Sequence, residues 1–398
     1  MKIVLMFVIE ILLIINFGCS KNEIEIELEN IKYEKVAFPD SGKVRFQSYF
    51  KPIKKIKFNT YKDDSLKLLE FTKVVELNNG ELLVLDRFAT SIFLINTTGK
   101  IKNRFGRKGQ GPGEFRLIAD FCVNDKGEIF VLDVNNKVNK FSSKFKYLKT
   151  YNLSFSLRAP ERIMYIGNNK FLITAYQNLI EGSTKTNYKY LEYDQVNYLH
   201  LYDAQFKKIK SFRKLSKELE HTKGRLARSI GQFVSNSIWE GKVISVSQEG
   251  MYRMKIYDNE SKLIKIIDIK SKYFKSINLY KIKNMRFINN RWNLSRKEIG
   301  EIIADHSTIK EINKIGKYFI ITIYEPYDNF YPQYRSRHYP DKFYYDIFYL
   351  ENMTIKPVVS NIEGKYKLIG VGKNNTVYFT NKDINDSGIY IYKYKLKL

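Results

Sequence analysis

Hydrophobic and polar positions along the chain fall into short apolar runs, many of them alternating, separated by turns rich in Asn, Asp, Gly and Lys. A period of two rather than 3.6 predicts strands throughout. One unit recurs, a tight turn followed by a β-rich run. It reads Asn79-Gly80-ELLVLD, Lys126-Gly127-EIFVLD, Asn168-Asn169-KFLITA, Glu240-Gly241-KVISVS, Ile315-Gly316-KYFIITI and Asn374-Asn375-TVYFT. Anchored at residues 80, 127, 169, 241, 316 and 375, the gaps are 47, 42, 72, 75 and 59.

The shorter gaps match the ~40–50 residues of a four-stranded propeller blade, and the longer ones a blade with an insertion. In the first unit FTKVVEL reads as strand A, ELLVLD as B, SIFLIN as C and KIKNRFG as D, with short turns between A and B and between C and D. Six anchors predict an all-β six-bladed β-propeller of four-stranded antiparallel blades. The last unit (YKLIGV, TVYFT, IYIYKYKLKL) reaches Leu398 one strand short, and a strand-like segment over 49–58 (YFKPIKKIKF) is left over before the first unit. That N-terminal strand is expected to close the ring and remove the open edge. Residues 178–195 and 325–342 are expected as long B–C connections, and 213–229 and 271–306 as long D-to-A connections. In this topology all four emerge on one face, where function usually resides. Within 271–306, Ser295 and Glu298 at capping-box spacing predict a helical insertion.

Before the repeats, residues 3–18 form an apolar run behind Lys2, ending at Gly18-Cys19-Ser20. Sixteen residues are short for a membrane span, which needs about 20, and suit a signal-peptide core. A small residue before cysteine resembles the lipobox of bacterial lipoproteins, in which Cys19 would be acylated and become the first mature residue. Asn16, in a place usually held by an aliphatic residue, and Glu10 within the apolar core depart from that pattern. The expected organisation is a signal peptide over 1–18, a lipid-anchored tether over 19–43 and the propeller over 44–398. The acidic stretch after Cys19 resembles the export tether of Bacteroidetes surface lipoproteins.

The most specific segment is Arg104-Phe105-Gly106-Arg107-Lys108-Gly109-Gln110-Gly111-Pro112-Gly113-Glu114-Phe115, between the first and second units. It resembles the linker of NHL repeats. With the N-terminus, it makes the chain similar to the six-bladed propeller lipoproteins of the Bacteroidetes. The likeness is strong over about residues 44–150 and fades beyond 160. It implies the fold and an envelope location, the outer membrane in particular, but no general activity. Gly109, Gly111, Pro112, Gly113, Glu114 and Phe115 are read as a structural linker, because the segment lacks the lysine-serine ending and strand-to-helix context of a phosphate loop.

Composition adds limits. With 44% hydrophobic residues, Tyr 30 and Phe 27, the chain has ample material for a core. Its formal charge of +26 comes from lysines scattered along the whole sequence. Such a charge speaks to association rather than fold, and nucleic acid is not an expected partner. The two cysteines, Cys19 and Cys122, and four histidines, His200, His221, His306 and His338, show no metal-ligand spacing, and no cofactor motif is present. The loop 325–342 is the best candidate for ligand contact. Tyr327, Phe330, Tyr331 and Tyr334 offer faces for stacking, and Arg335, Arg337 and His338 offer cationic partners. A glycan, an anionic polymer or a protein partner fits this chemistry, together with attachment to a membrane through the lipid. The reading is therefore a binding or scaffold propeller without a catalytic constellation. The alternative is a metal-dependent lactonase- or lyase-like propeller, for which the inner strands offer Glu76, Asp120, Asn236, Glu311 and Asn313 but no histidine.

Overall fold

The computed structural model describes residues 31–40, 42, 44–58, 71–154, 157–177, 197–214, 234–247, 252–272, 274–276, 287–288, 291–292, 307–324, 343–352, 354–381 and 389–398. Six antiparallel sheets succeed one another around a central axis, each with its first strand innermost. The inner strands are Phe71–Glu76, Ile118–Val123, Leu157–Tyr165, Val234–Trp239, Thr308–Ile315 and Lys367–Val371, in blades 1 to 6.

The second strand of a blade is covered on both faces by neighbouring blades. Leu82–Asp86, Ile129–Asp133, Phe171–Gln177 and Thr376–Thr380 are accordingly buried at every position. This explains why the most legible runs in the sequence are unbroken apolar ones. Each of the six seams between blades holds its own buried cluster, such as Phe93, Tyr378 and Ile391 between blades 6 and 1. Phe121, Ile92 and Phe141 fill the seam between blades 1 and 2.

The ring closes as the sequence predicts. The outer strand of blade 6 is Phe50–Lys57, paired antiparallel with Tyr390–Leu396 from Leu396↔Phe50 to Tyr390↔Lys57. Phe46 and Phe50 stack with centroids 4.5 Å apart and reach Tyr345 and Phe379 in the seam between blades 5 and 6. Burial of each such ring stabilises by about 1.5–3 kcal/mol.

The expected tether over 19–43 needs correction in its second half. Lys32–Ala37 adds a fifth strand to blade 4, parallel to Leu263–Lys270, and Val44–Arg45 adds one to blade 5, parallel to Thr354–Gly364. Tyr33 donates its hydroxyl to Asp268, Lys265 pairs with Glu34 at 2.7 Å, and Phe38 packs on Phe348 at 4.7 Å. Residues 32–57 thus strap the outer edges of blades 4 and 5 and then become the outer strand of blade 6. Lys32 lies beside Lys265 at the beginning of the outer strand, and Ala37 beside Lys270 at its end. Lys32 therefore sits at the end of the ring that carries the C–D turns.

Candidate functional site

The strand connections divide by face. Among the described residues the A–B and C–D turns are short, as at Leu77–Glu81 and Asn96–Lys100. The segments 178–196, 215–233, 273–306 and 325–342 all join B to C or D to the next A. They attach on the same face.

Along the axis, five of the six inner strands carry a register irregularity close to their start: at Phe71/Lys73, Ile118/Asp120, Arg158/Arg162, Ile309/Glu311 and Leu368/Gly370. A bulge places consecutive residues where alternation would place one, and so re-aims side chains. Here it turns charged groups toward one another across blades. Lys73 of blade 1 donates to Asp120 Oδ1 at 2.9 Å and to the Phe121 carbonyl at 2.7 Å in blade 2, and Asp120 Oδ2 accepts the Ile163 N–H of blade 3 at 3.0 Å. Arg162 of blade 3 donates to Ser235 Oγ of blade 4 at 3.1 Å and to the Lys310 carbonyl of blade 5 at 2.8 Å, with Glu311 at 3.5 Å. Ser235 in turn accepts the Ile312 N–H at 2.9 Å. Two side chains thus each stitch three consecutive blades. Desolvation lowers the Lys310 ammonium to about 8, opposed by the nearby Glu161 carboxylate and aided by Lys367 and Arg162.

The inner-strand residues named from sequence separate into different surroundings. Asp120 and Glu311 belong to the axial stitches. Asn236 donates to Thr174 Oγ1 at 2.9 Å, and Asn313 carries a buried amide nitrogen without a partner among the described residues. Glu76 lies at the far end of its strand, at the seam with blade 6. There it accepts the Lys393 ammonium at 3.1 Å and the Lys373 N–H at 3.0 Å, and these bonds hold its carboxyl below the usual range against desolvation. Among the described residues no group of three or more His, Cys, Asp or Glu could hold a metal ion. His200 is buried with both ring nitrogens bonded, to Ser211 Oγ at 2.8 Å and the Ala175 carbonyl at 3.1 Å. Cys122 is a buried thiol pushed up by desolvation.

The glycine-rich linker is a compact turn. Glu114 accepts the Gly111 N–H at 2.8 Å and the Arg107 guanidinium at 2.7 Å, and its carboxyl is held low by those bonds, the Gly111 N–H first. Gly109 lies directly under this carboxylate; a Cβ there would stand 2.0 Å from Glu114 Oε2. Phe115 is fully buried in the seam between blades 1 and 2. An open groove of about 540 Å³ runs beside the linker, lined by Arg104, Arg107, Phe141, Phe145 and Tyr147.

Tyr327, Phe330, Tyr331, Tyr334, Arg335, Arg337 and His338 lie outside the described residues, as do Cys19, His221, His306 and the expected helix after Ser295. Lys73, Arg162 and Lys310 were not singled out by the sequence. Their signal would have been a charge within the inner strands of blades 1, 3 and 5, which the bulges hide from a period-two reading.

The family model DUF5128, a 6-bladed beta-propeller, matches residues 24–299. No curated protein is detectably similar in sequence. Among solved structures, a Bacteroides fragilis protein described as exported is 14% identical, with TM-score 0.60 and coverage of 92% of this chain and 100% of its own. A DUF4221 member from Bacteroides vulgatus is 14% identical, with TM-score 0.57 and coverage of 87% and 98%. A virginiamycin B lyase of Staphylococcus aureus matches at 13% identity, TM-score 0.42 and coverage of 86% and 99%, too distant to bear on a site.

Proposed function

Because the chain belongs to the DUF5128 family of six-bladed β-propellers, we propose that it is an exported, lipid-anchored binding protein of the cell envelope whose elaborated face takes a glycan or another anionic polymer. The observation that carries this reading is the placement of the long connections. The four longest internal ones join strands on a single face, while the described turns of the opposite face are short. A rigid ring with one elaborated face is a scaffold for recognition. The leader over 1–18 and Cys19 support export and acylation, and a relative in fold is described as exported.

The recognition chemistry is assigned to 325–342. Tyr327, Phe330, Tyr331 and Tyr334 stack on sugar rings, while Arg335, Arg337 and His338 pair with carboxylate, sulfate or phosphate. The test is a binding screen of the whole protein against envelope polysaccharides and acidic glycans. Tyr331→Ala with Tyr334→Ala should weaken binding by about 1–3 kcal/mol per contact, by analogy with aromatic stacking on bases. Arg335→Gln with Arg337→Gln should instead flatten the salt dependence, because charge pairing is screened and stacking largely is not. Asn79→Ala, in a short turn of the other face, should leave affinity unchanged. Loop variants that bind a captured glycan as well as the parent does would sink the assignment.

A further inference from the structure

The outer strands carry a pattern that neither the axial stitches nor the elaborated face uses. At the start of the outer strand in blades 1 to 4, apolar residues sit between two lysines: Lys100-Ile101-Lys102, Lys146-Tyr147-Leu148-Lys149, Lys208-Ile209-Lys210 and Lys262-Leu263-Ile264-Lys265. Blade 6 repeats it as Lys51-Pro52-Ile53-Lys54. Ile53 is 51% exposed, Leu148 50%, Ile209 51% and Tyr147 37%.

Lysine on an edge strand discourages pairing with another chain, and that alone accounts for the cations. It does not account for large apolar side chains standing in solvent between them, which invite association. The open outer strands of blades 6, 1, 2 and 3 contain no Asp or Glu, whereas the outer strands covered by the strap contain Asp268 and Glu363. In blade 4 the same run lies under the strap, where Lys265 is buried against Glu34; on the open edges of blades 6, 2 and 3 the cations and apolar side chains stand in solvent together. These clusters sit near the C–D turns, at the end of the ring where Lys32 begins its strand.

We propose that this rim is a lipid-binding surface on which the propeller lies against an anionic bilayer. Ile53, Leu148 and Ile209 enter the headgroup layer, and the exposed lysines Lys51, Lys54, Lys100, Lys146 and Lys149 pair with lipid phosphates. The proposal rests on the lipid-anchor reading. A tether of about a dozen residues makes the rim contact intramolecular, so weak individual contacts suffice. The elaborated face then points away from the membrane, toward its ligand.

The test uses the processed protein purified from membranes, reconstituted with vesicles of phosphatidylcholine alone or mixed with phosphatidylglycerol. A polarity-sensitive fluorophore is placed at Leu148→Cys on the rim or at Phe88→Cys on the opposite face, where the native side chain is 39% exposed. Quenching by lipid-borne quenchers in the mixed vesicles should be several-fold stronger for the rim label. That excess should fall about tenfold in Lys100→Gln/Lys146→Gln/Lys149→Gln and disappear near 1 M salt, where screening acts within about 3 Å. Unchanged thermal unfolding of the variants confirms that the ring is intact. Flotation with both vesicle types but equal quenching at the two labels, or stronger quenching at residue 88, overturns the rim. Flotation with mixed vesicles only would overturn the anchor and keep the rim. No flotation with either vesicle overturns both.

Discussion

Asp346 is a carboxyl enclosed in blade 5, where its Oδ1 accepts the Asn361 N–H at 3.0 Å and Tyr252 lies beside it. Desolvation pushes it from 3.8 up to about 7, against the pull of the Asn361 bond. The folded state therefore keeps a proton that the unfolded chain gives up near pH 4. Its contribution is full below pH 4 and is lost as pH rises toward 7. Between those values the parent should lose about 2–4 kcal/mol relative to Asp346→Asn, which keeps the acceptor without the charge. Urea unfolding of both proteins across that range checks this, and parallel curves would refute it. No pattern in the sequence marked this residue, because Asp346 sits inside the run FYYDIFYL, whose alternation is broken by bulges at Tyr345/Ile347 and Ile347/Phe348.

At the scale of elements, a single turn design recurs between the third and fourth strands of blades 1 to 4. Asn96, Ser142, Asp203 and Asp258 each accept backbone N–H groups two and four residues on, as in Thr98 at 3.0 Å and Lys100 at 2.9 Å for Asn96. The residue three positions on adopts positive φ, at Gly99 but also at Phe145, Phe206 and Ser261. A search for glycine alone would therefore have missed most C–D turns, whereas Asx and Ser chemistry marks all of these. The axial stitches were not legible, because the bulges that create them break the alternation on which the reading relied. The linker offers a test of its packing. Gly109→Ala should push the Glu114 carboxylate, the end of a flexible side chain, off the Gly111 N–H and the Arg107 guanidinium, and lower the thermal midpoint slightly. In a Glu114→Ala background most of that cost should vanish, and a double-mutant cycle measures the coupling. Additive effects would mean that the carboxylate yields without cost.

For the whole molecule, six blades and their closure by residues 50–57 were visible in the sequence, because buried second strands give clear apolar runs and the last unit was one strand short. The parallel additions to blades 4 and 5 were not, since KYEKVA is short, half charged and pairs with a strand far along the chain. The closing seam depends on close backbone approach. A Cβ at Gly370 would stand 2.2 Å from the Val74 carbonyl of blade 1. Gly370→Ala should therefore wedge the seam and lower stability by about 3 kcal/mol, with a lower urea midpoint. An unchanged midpoint would show that blade 6 can shift without loosening the ring.

The strap also imposes an order in time. Residues 32–57 leave the ribosome early, yet their partners are Leu263–Lys270, Thr354–Gly364 and Tyr390–Leu396. Until those strands exist, Phe46 and Phe50 lack the blade 5 and 6 side chains that bury them, such as Tyr345 and Phe379, and contacts so distant in sequence are slow to form. Residues 50–57 are therefore held waiting for Tyr390–Leu396, and joining the two is a step open only to a polypeptide synthesised through that strand. One broken off within blade 6 would leave Phe50–Lys57 unpaired as well as blade 6 short, so synthesis through Leu396 is a condition for becoming native.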